Sequence, residues 1–355
     1  GWQPRGMISP NLPVSTLAAD PVHPERIYAG TGESFLGRNP YADDTEYNDS
    51  RDVTRGDGIW VSDDSGQSWT QLPSTANAPA FRFVNRIAVF TATAGSSVPT
   101  ILAGTSTGMY FSRNSGASWD PADHESGVFT DPTFDIRIHP VFSATRAIAS
   151  SHRQVYSPVE RDIGKIYRTE DGGQTWTSVS GLPDGAGRIE LSYAPSNPIS
   201  VYASLDYAAV PLTTTAPMSE WKGELWKSDD GGASFHPANA NTYYLQTQGY
   251  YDNAIWVHPT DPNRLIVGGI DLYRSMDGGK TLQQISTWQT ARRSLPSSAH
   301  ADQHVIIGEP GYNGTSYNTV YVANDGAIFM NDKVFAVVPG QAIPAWDPSP
   351  SIGLR

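Results

Sequence analysis

The 355-residue chain has no cysteine, little lysine and no long apolar run. Each shortage excludes a class of protein. Without cysteine there is no disulfide, no thiolate nucleophile and no cysteine-based zinc site. Basic residues number 24 against 36 acidic, a formal net charge of -12, and the lysines and arginines form no cluster. A nucleic-acid binder needs a basic footprint, so that class is set aside. No stretch approaches the roughly 20 apolar residues of a membrane-spanning helix. The first residues carry no signal-peptide pattern, which leaves a cytosolic chain or a processed start as expectations. Charged residues are only 17% of the chain, too few for long amphipathic helices rich in Glu, Lys and Arg.

What is present points to strands and turns. Gly 33 and Pro 27 together make about a sixth of the chain, and tyrosine and tryptophan are plentiful (17 and 10). Frequent turns between short aromatic-rich segments predict an all-β fold. An internal repeat then specifies the architecture. Ser62–Trp69 reads SDDSGQSW, and the pattern returns at Ser112–Trp119, Thr169–Trp176, Ser228–Phe235 and Ser275–Leu282, with spacings of 50, 57, 59 and 47 residues. Its residues suit a hairpin turn. Asp or Asn accepts hydrogen bonds from the backbone of its own turn, Gly takes a positive φ, and the aromatic fills the space between neighbouring sheets. Asp64, Asn114, Asp171, Asp230 and Asp277, with Trp69, Trp119, Trp176 and Phe235, are therefore expected to be structural.

Each copy has the same flanks. A short strand precedes it, as in Gly58–Val61, Gly108–Phe111, Lys165–Arg168, Glu224–Lys227 and Asp271–Arg274. Another strand comes earlier: Arg26–Gly30, Thr100–Gly104, Ser200–Ser204 and Arg264–Gly268. Earlier still, an apolar strand ends at His139-Pro140, Ala194-Pro195 or His258-Pro259. Four strands per roughly 50 residues is the pattern of a propeller blade. A sixth, eroded unit follows at Thr319–Ala323 and Ala327–Met330, with Asn331 and Lys333 where the motif's Ser and Asp would stand. The expected fold is a six- or seven-bladed β-propeller of four-stranded antiparallel blades, a single domain over 1–355. Its blades fall near 14–75, 82–122, 131–182, 187–238, 251–287 and 300–340. Residues 1–13 could supply a ring-closing strand around Trp2, and the chain could be a fragment of a longer or tandem propeller.

The repeat resembles the Asp-box, or bacterial neuraminidase repeat, of a propeller group that includes sialidases, xyloglucanase-type glycoside hydrolases, sortilin-type receptors and a photosystem assembly factor. Gln248–Ile255, Gly268–Ser275, His300–His304 and Ala323–Gly326 are similar to a sortilin/xyloglucanase-like subgroup of secreted bacterial repeat proteins. The motif implies the fold and not the activity. Among xyloglucanase-type relatives the resemblance implies a catalytic Asp just past the second strand, where this chain has Thr31-Gly32-Glu33. The sialidase signature, an arginine triad with an Arg-Ile-Pro motif, is not matched by Arg5-Gly6-Met7 or Phe81–Val84.

Blade topology places the short motif turns on one face and the long segments 30–57, 120–134, 205–222, 236–251 and 286–300 on the other. Functional loops concentrate where length varies. The loop 32–57 is the most acidic, and Glu33, Asp43 and Asp52 are the candidate catalytic carboxylates, since glycoside hydrolysis uses a carboxylate pair across a sugar. A solvated acidic loop or a Ca²⁺ site is the alternative for it. Tyr207, Trp221, Tyr243, Tyr244, Tyr250 and Tyr251 crowd two long loops and suit stacking on sugar rings. In His300-Ala301-Asp302-Gln303-His304, strand alternation would place His300, Asp302 and His304 on one side, able to hold a divalent metal or line a channel. Asp252, Asp271 and Asp325 recur at blade ends beside them. No cofactor is otherwise implied.

Two functions compete. One is a secreted bacterial scaffold, extracellular or periplasmic, that binds a polysaccharide or an extracellular protein. The other is a glycoside hydrolase using a carboxylate pair on the same face. A module of a larger extracellular assembly, joined to a further propeller domain or to other subunits, is a third possibility.

Overall fold

A computed structural model describes residues 5–9, 11–34, 54–93, 97–125, 127–153, 163–206, 224–239, 242–246, 248–291, 298–336 and 345–348. The fold is all-β and of the β-propeller class; among the described residues the exceptions are a 3-10 turn at Pro79–Phe81 and a four-residue helix α1 at Trp288–Ala291. The chain forms two compact units, one from residues 4–179 and one from 180–355.

The first unit holds three sheets. Sheet one orders β1 (Val14–Ala19), β2 (Ile27–Thr31), β3 (Ile59–Ser62) and β4 (Thr70–Gln71). Sheet two orders β5 (Val84–Val89), β6 (Ile101–Thr105), β7 (Gly108–Ser112) and β8 (Asp120–Pro121). Sheet three has two extra short strands, β9 (Asp123–His124) and β10 (Gly127–Val128), beside β11 (Thr133–Ile138), β12 (Ala147–Arg153), β13 (Ile163–Thr169) and β14 (Thr175–Ser178). β9 pairs with β14 in parallel, so the link from sheet two also widens sheet three.

The second unit repeats the plan. Sheet four orders β15 (Ile189–Tyr193), β16 (Val201–Leu205), β17 (Leu225–Ser228) and β18 (His236–Pro237). Sheet five orders β19 (Ala254–Val257), β20 (Leu265–Gly268), β21 (Leu272–Ser275) and β22 (Gln283–Gln284). Among the described residues sheet six has β23 (Gln303–Gly308), β24 (Val320–Asn324) and β25 (Ile328–Asn331), and an antiparallel bridge joins Met330 to Asp347.

Within each unit the core lies between successive sheets. Leu102, Met109, Phe129, Ile136, Tyr167 and Trp176 form one such layer; Tyr202, Leu225, Tyr244, Ile255 and Leu265 form another. Both faces of β6 meet a neighbouring sheet of its own unit, which is why it is buried at every position rather than alternating.

The repeated turns share one hydrogen-bond plan. Ser228 Oγ donates to Asp230 Oδ1 (2.6 Å) and accepts from the Gly232 amide (2.8 Å). Asp230 in turn accepts from the Ser234 amide and hydroxyl at 2.9 and 2.6 Å. The same set recurs around Asp64, Asp171 and Asp277. At Asn114 the amide nitrogen donates to Ser118 Oγ (2.8 Å), so the motif tolerates loss of the charge. The turn glycine is required by packing as well as by φ. At Gly173 (φ 86°) an added Cβ would stand 2.5 Å from Leu102 of the preceding sheet. Trp176 is buried and donates from its indole nitrogen to the Gly173 carbonyl (3.0 Å).

Candidate functional site

Of the acidic-loop candidates, Glu33 is half-buried just beyond β2, and its backbone pairs with Thr54 in both directions (2.8 and 3.2 Å). Asp43 and Asp52 lie outside the described residues, as do Tyr207 and Trp221. The remaining candidates all belong to the second unit; Tyr250, Tyr251, Asp252, His300, Asp302 and His304 lie around the starts of the first strands of sheets five and six, Asp271 just before β21 and Asp325 just after β24.

Three charged residues stand one or two positions before the first strand of a sheet: Arg188 before β15, Asp252 before β19 and Asp302 before β23. Arg188 is buried. It donates to the backbone carbonyls of Tyr251 (2.6 Å) and Tyr250 (3.2 Å), and to Glu190 Oε1 at 2.7 Å. The two tyrosines are thereby held by their main chain. Tyr250 is 39% exposed. Tyr251 donates its hydroxyl to Asp325 Oδ1 (3.1 Å), and His304 Nε2 stands 2.7 Å from the same oxygen. The Tyr251 and His304 rings meet edge to face at 4.8 Å.

Asp252 is fully buried, and neither of its carboxylate oxygens has a hydrogen-bond partner. Burial, followed by the charge of Asp302, pushes its carboxyl up to about 8. Asp302 is only half-buried; its Oδ1 accepts from the Gln248 side-chain amide (3.1 Å). Glu224 is also pushed up to about 8, chiefly by burial, although the Leu245 amide donates to it at 2.9 Å.

The structure corrects three expectations. β23 starts at Gln303 rather than at His300, and Asp302 adopts a left-handed backbone (φ 65°), so the alternation expected over 300–304 does not exist. The three side chains go to separate partners: His300 to its neighbouring Ala301 carbonyl, Asp302 to Gln248, His304 to Asp325. Among the described residues no group of three or more His, Cys, Asp or Glu is placed to hold a metal ion. Asp271 accepts from the Trp288 amide (2.8 Å), Ser286 Oγ and Gln284 Nε2 (3.1 Å each), so it organises the loop ahead of α1 rather than facing a ligand. Tyr244 is a core residue whose hydroxyl lies 2.6 Å from Ser204 Oγ, not an exposed loop aromatic.

Arg188, Glu190, Glu224 and Gln248 carry this arrangement but had not been singled out as site residues. Arg188 had a legible signal, a charge immediately before a first strand, the position that Asp302 also takes. Gln248 lay inside one of the stretches that carried the family resemblance.

No protein-family model matches the chain. It is similar to a xyloglucanase of Paenibacillus sp., with 28% identity over 320 residues covering 77% of this chain and 26% of the relative. A xyloglucanase of Acetivibrio thermocellus is 24% identical over 298 residues, covering 78% and 32%. The photosystem II assembly protein Ycf48 of Synechococcus sp. is 25% identical over 194 residues, covering 42% and 52%. The chain thus spans about a quarter to a third of the length of the xyloglucanases it matches. Among solved structures, a GH74 enzyme of Niastella koreensis superposes with a TM-score of 0.59 at 18% identity, over 94% of this chain and 46% of that one, a likeness of fold. The chain is thus similar to xyloglucanases in sequence and to a GH74 enzyme in fold. No helix among the described residues is long and apolar enough to cross a membrane.

Proposed function

We propose that the chain is part of a secreted bacterial Asp-box propeller that engages a polysaccharide at the face carrying Tyr250, Tyr251, Asp302, His304 and Asp325. The observation that carries this reading is the tyrosine pair. Arg188 fixes both residues through their backbone, and beside them a half-exposed imidazole and carboxylate are already in register with each other. Sugars are recognised in this way, by aromatic faces and by planar polar groups at the rim. Similarity to xyloglucanases supports a β-linked, xyloglucan-like glycan as the ligand class.

Hydrolysis is the second reading. A buried carboxyl raised to about 8 beside a more exposed carboxylate is the kind of asymmetric pair that acid–base chemistry uses. The test is a panel of neutral and acidic polysaccharides, scored for binding and for release of reducing ends. Binding with release assigns a hydrolase, and binding without release assigns a recognition module. Failure to bind any β-linked glycan would overturn both.

A further inference from the structure

Asp252 presents an unusual problem for a folded protein. An ionised carboxylate removed from water is stable only when it is paired or hydrogen-bonded, and Asp252 is 0% exposed with no donor to either oxygen. The nearby side-chain amide, Gln248 Nε2, is directed to Asp302 Oδ1 instead, while the Gln248 carbonyl accepts from the Asp252 backbone amide (3.0 Å). Gln248 therefore lies between the two aspartates and acts on both, but burial and Asp302 raise the buried carboxyl by more than Gln248 lowers it. The other groups around them are also acidic. Asp302 acts on both Asp252 and Asp271, and Asp252 and Asp206 act together on Glu224.

We propose that Asp252 and Asp302 form one acid–base unit, a carboxyl pair holding a single proton, with Asp252 as the positioning member and Asp302 as the member presented to an uncharged glycan. With the proton on Asp252, its O–H donates to Asp302, and the contact that lacked a donor becomes a hydrogen bond. Asp302 is then an anion that accepts from a sugar hydroxyl. If the proton passes to Asp302, Asp252 becomes the anion and Asp302 the donor. The charge of the pair stays at minus one throughout, so the exposed carboxyl switches between acceptor and donor with no ion entering or leaving. The left-handed backbone at Asp302 turns the chain immediately before β23, and its amide is held by the Ile270 carbonyl (3.2 Å). Backbone held this way at a polar residue fixes where its side chain can go. A fixed negative charge over this acidic face disfavours anionic sugars, which is why the ligand is assigned as uncharged.

This inference rests on the glycan-binding reading only for the role of Asp302 toward a ligand; the pair itself is tested in the free protein. Carbon NMR of protein labelled at the aspartate carboxyl carbon is followed across pH 3 to 10, for wild type, Asp252→Asn and Asp302→Asn. One aspartate is expected to titrate near neutral or alkaline pH, to vanish in Asp252→Asn and to move to lower pH in Asp302→Asn. If every aspartate is ionised by pH 6, or if the late titration is unchanged in Asp302→Asn, the pair does not exist. Adding a neutral β-linked glycan that binds should shift the Asp302 resonance; a bound glycan that moves neither aspartate would overturn the presenting role alone.

Discussion

His304 Nε2 lies 2.7 Å from Asp325 Oδ1, a contact that ties the start of β23 to the residue just after β24. Both side chains keep about a third of their surface in water, at 32% and 38%. A polar contact this exposed contributes at most about 1 kcal/mol to folding, so its arrangement is better explained by what it positions. Asp325→Ala is expected to leave thermal unfolding almost unchanged. It should weaken the bound polysaccharide by about tenfold, equivalent to about 1.4 kcal/mol, because Tyr251 loses the acceptor for its hydroxyl as well. Calorimetric titration against the glycan, with thermal unfolding as the control, separates the two effects. Unchanged affinity would remove this pair from the site.

The buried carboxyl of Asp252 makes a prediction about stability and pH. Its folded value, about 8, lies far above the 3.8 of a free aspartate. Between those values the folded state holds a proton that the unfolded chain has released. Stability from this group is therefore full below about pH 4 and is lost as pH rises through 8. Glu224, also near 8, adds to the same trend. Denaturant unfolding at pH 5, 7 and 9 should show wild type weakening toward alkali, and Asp252→Asn should flatten the slope and exceed wild type at pH 9. An equal slope in the variant would mean that Asp252 does not titrate there.

The turn aspartates act in the opposite direction. Hydroxyl and backbone donors hold Asp64 and Asp230 down to about 2, in Asp230 against an opposing contribution from burial. Their contribution is present above about pH 4 and disappears as pH falls from there through 2. Asp230→Ala, which strands the Ser234 amide and hydroxyl, should cost about 1 to 2 kcal/mol, as loss of a side-chain cap does. Asp230→Asn should retain most of it, since Asn114 already performs this role in sheet two. Acid titration followed by circular dichroism would show the Ala variant unfolding at higher pH.

Much of this fold was legible because one local motif recurs five times and each copy closes the same hairpin. Local hydrogen bonds need only a few residues in order, and Ser228, Asp230, Gly232 and Ser234 supply them within seven positions. The site was legible in part for the opposite reason. Tyr251 reaches Asp325 across 74 positions, Arg188 reaches Tyr251 across 63, and Gln248 reaches Asp302 across 54. Residue type and blade position were enough to suggest Asp252, Asp302, His304 and Asp325. They could not show that Asp302 turns left-handed and breaks the alternation, nor that Asp271 satisfies its carboxylate within its own loop.

Packing between sheets gives a prediction with larger consequences. Trp176 is 1% exposed within the layer that also holds Leu102 and Tyr167. Trp176→Ala should cost about 3 to 5 kcal/mol, the range for emptying a buried aromatic site. Gly173→Ala acts at the same seam by overpacking, since its Cβ would press on Leu102 from a backbone that disfavours any side chain. Chemical denaturation of both variants would test the seam. A cost below about 1 kcal/mol for Trp176→Ala would mean that the layer collapses readily into the space.

Arg188 separates stability from recognition. It is buried with Glu190, and the same guanidinium holds the carbonyls of Tyr250 and Tyr251. Arg188→Met alone leaves Glu190 as a buried carboxylate without its cation, which typically costs about 3 to 5 kcal/mol. The double variant Arg188→Met/Glu190→Leu removes both charges and should recover most of that loss, because an apolar pair of similar volume often matches a buried ion pair. It does not restore the donors to the tyrosine backbone. The double variant is therefore expected to fold near wild-type stability and still bind the polysaccharide weakly, with the fluorescence of Tyr250 and Tyr251 altered. If affinity returns together with stability, the arginine serves only the core, and the tyrosines are placed by their own loop.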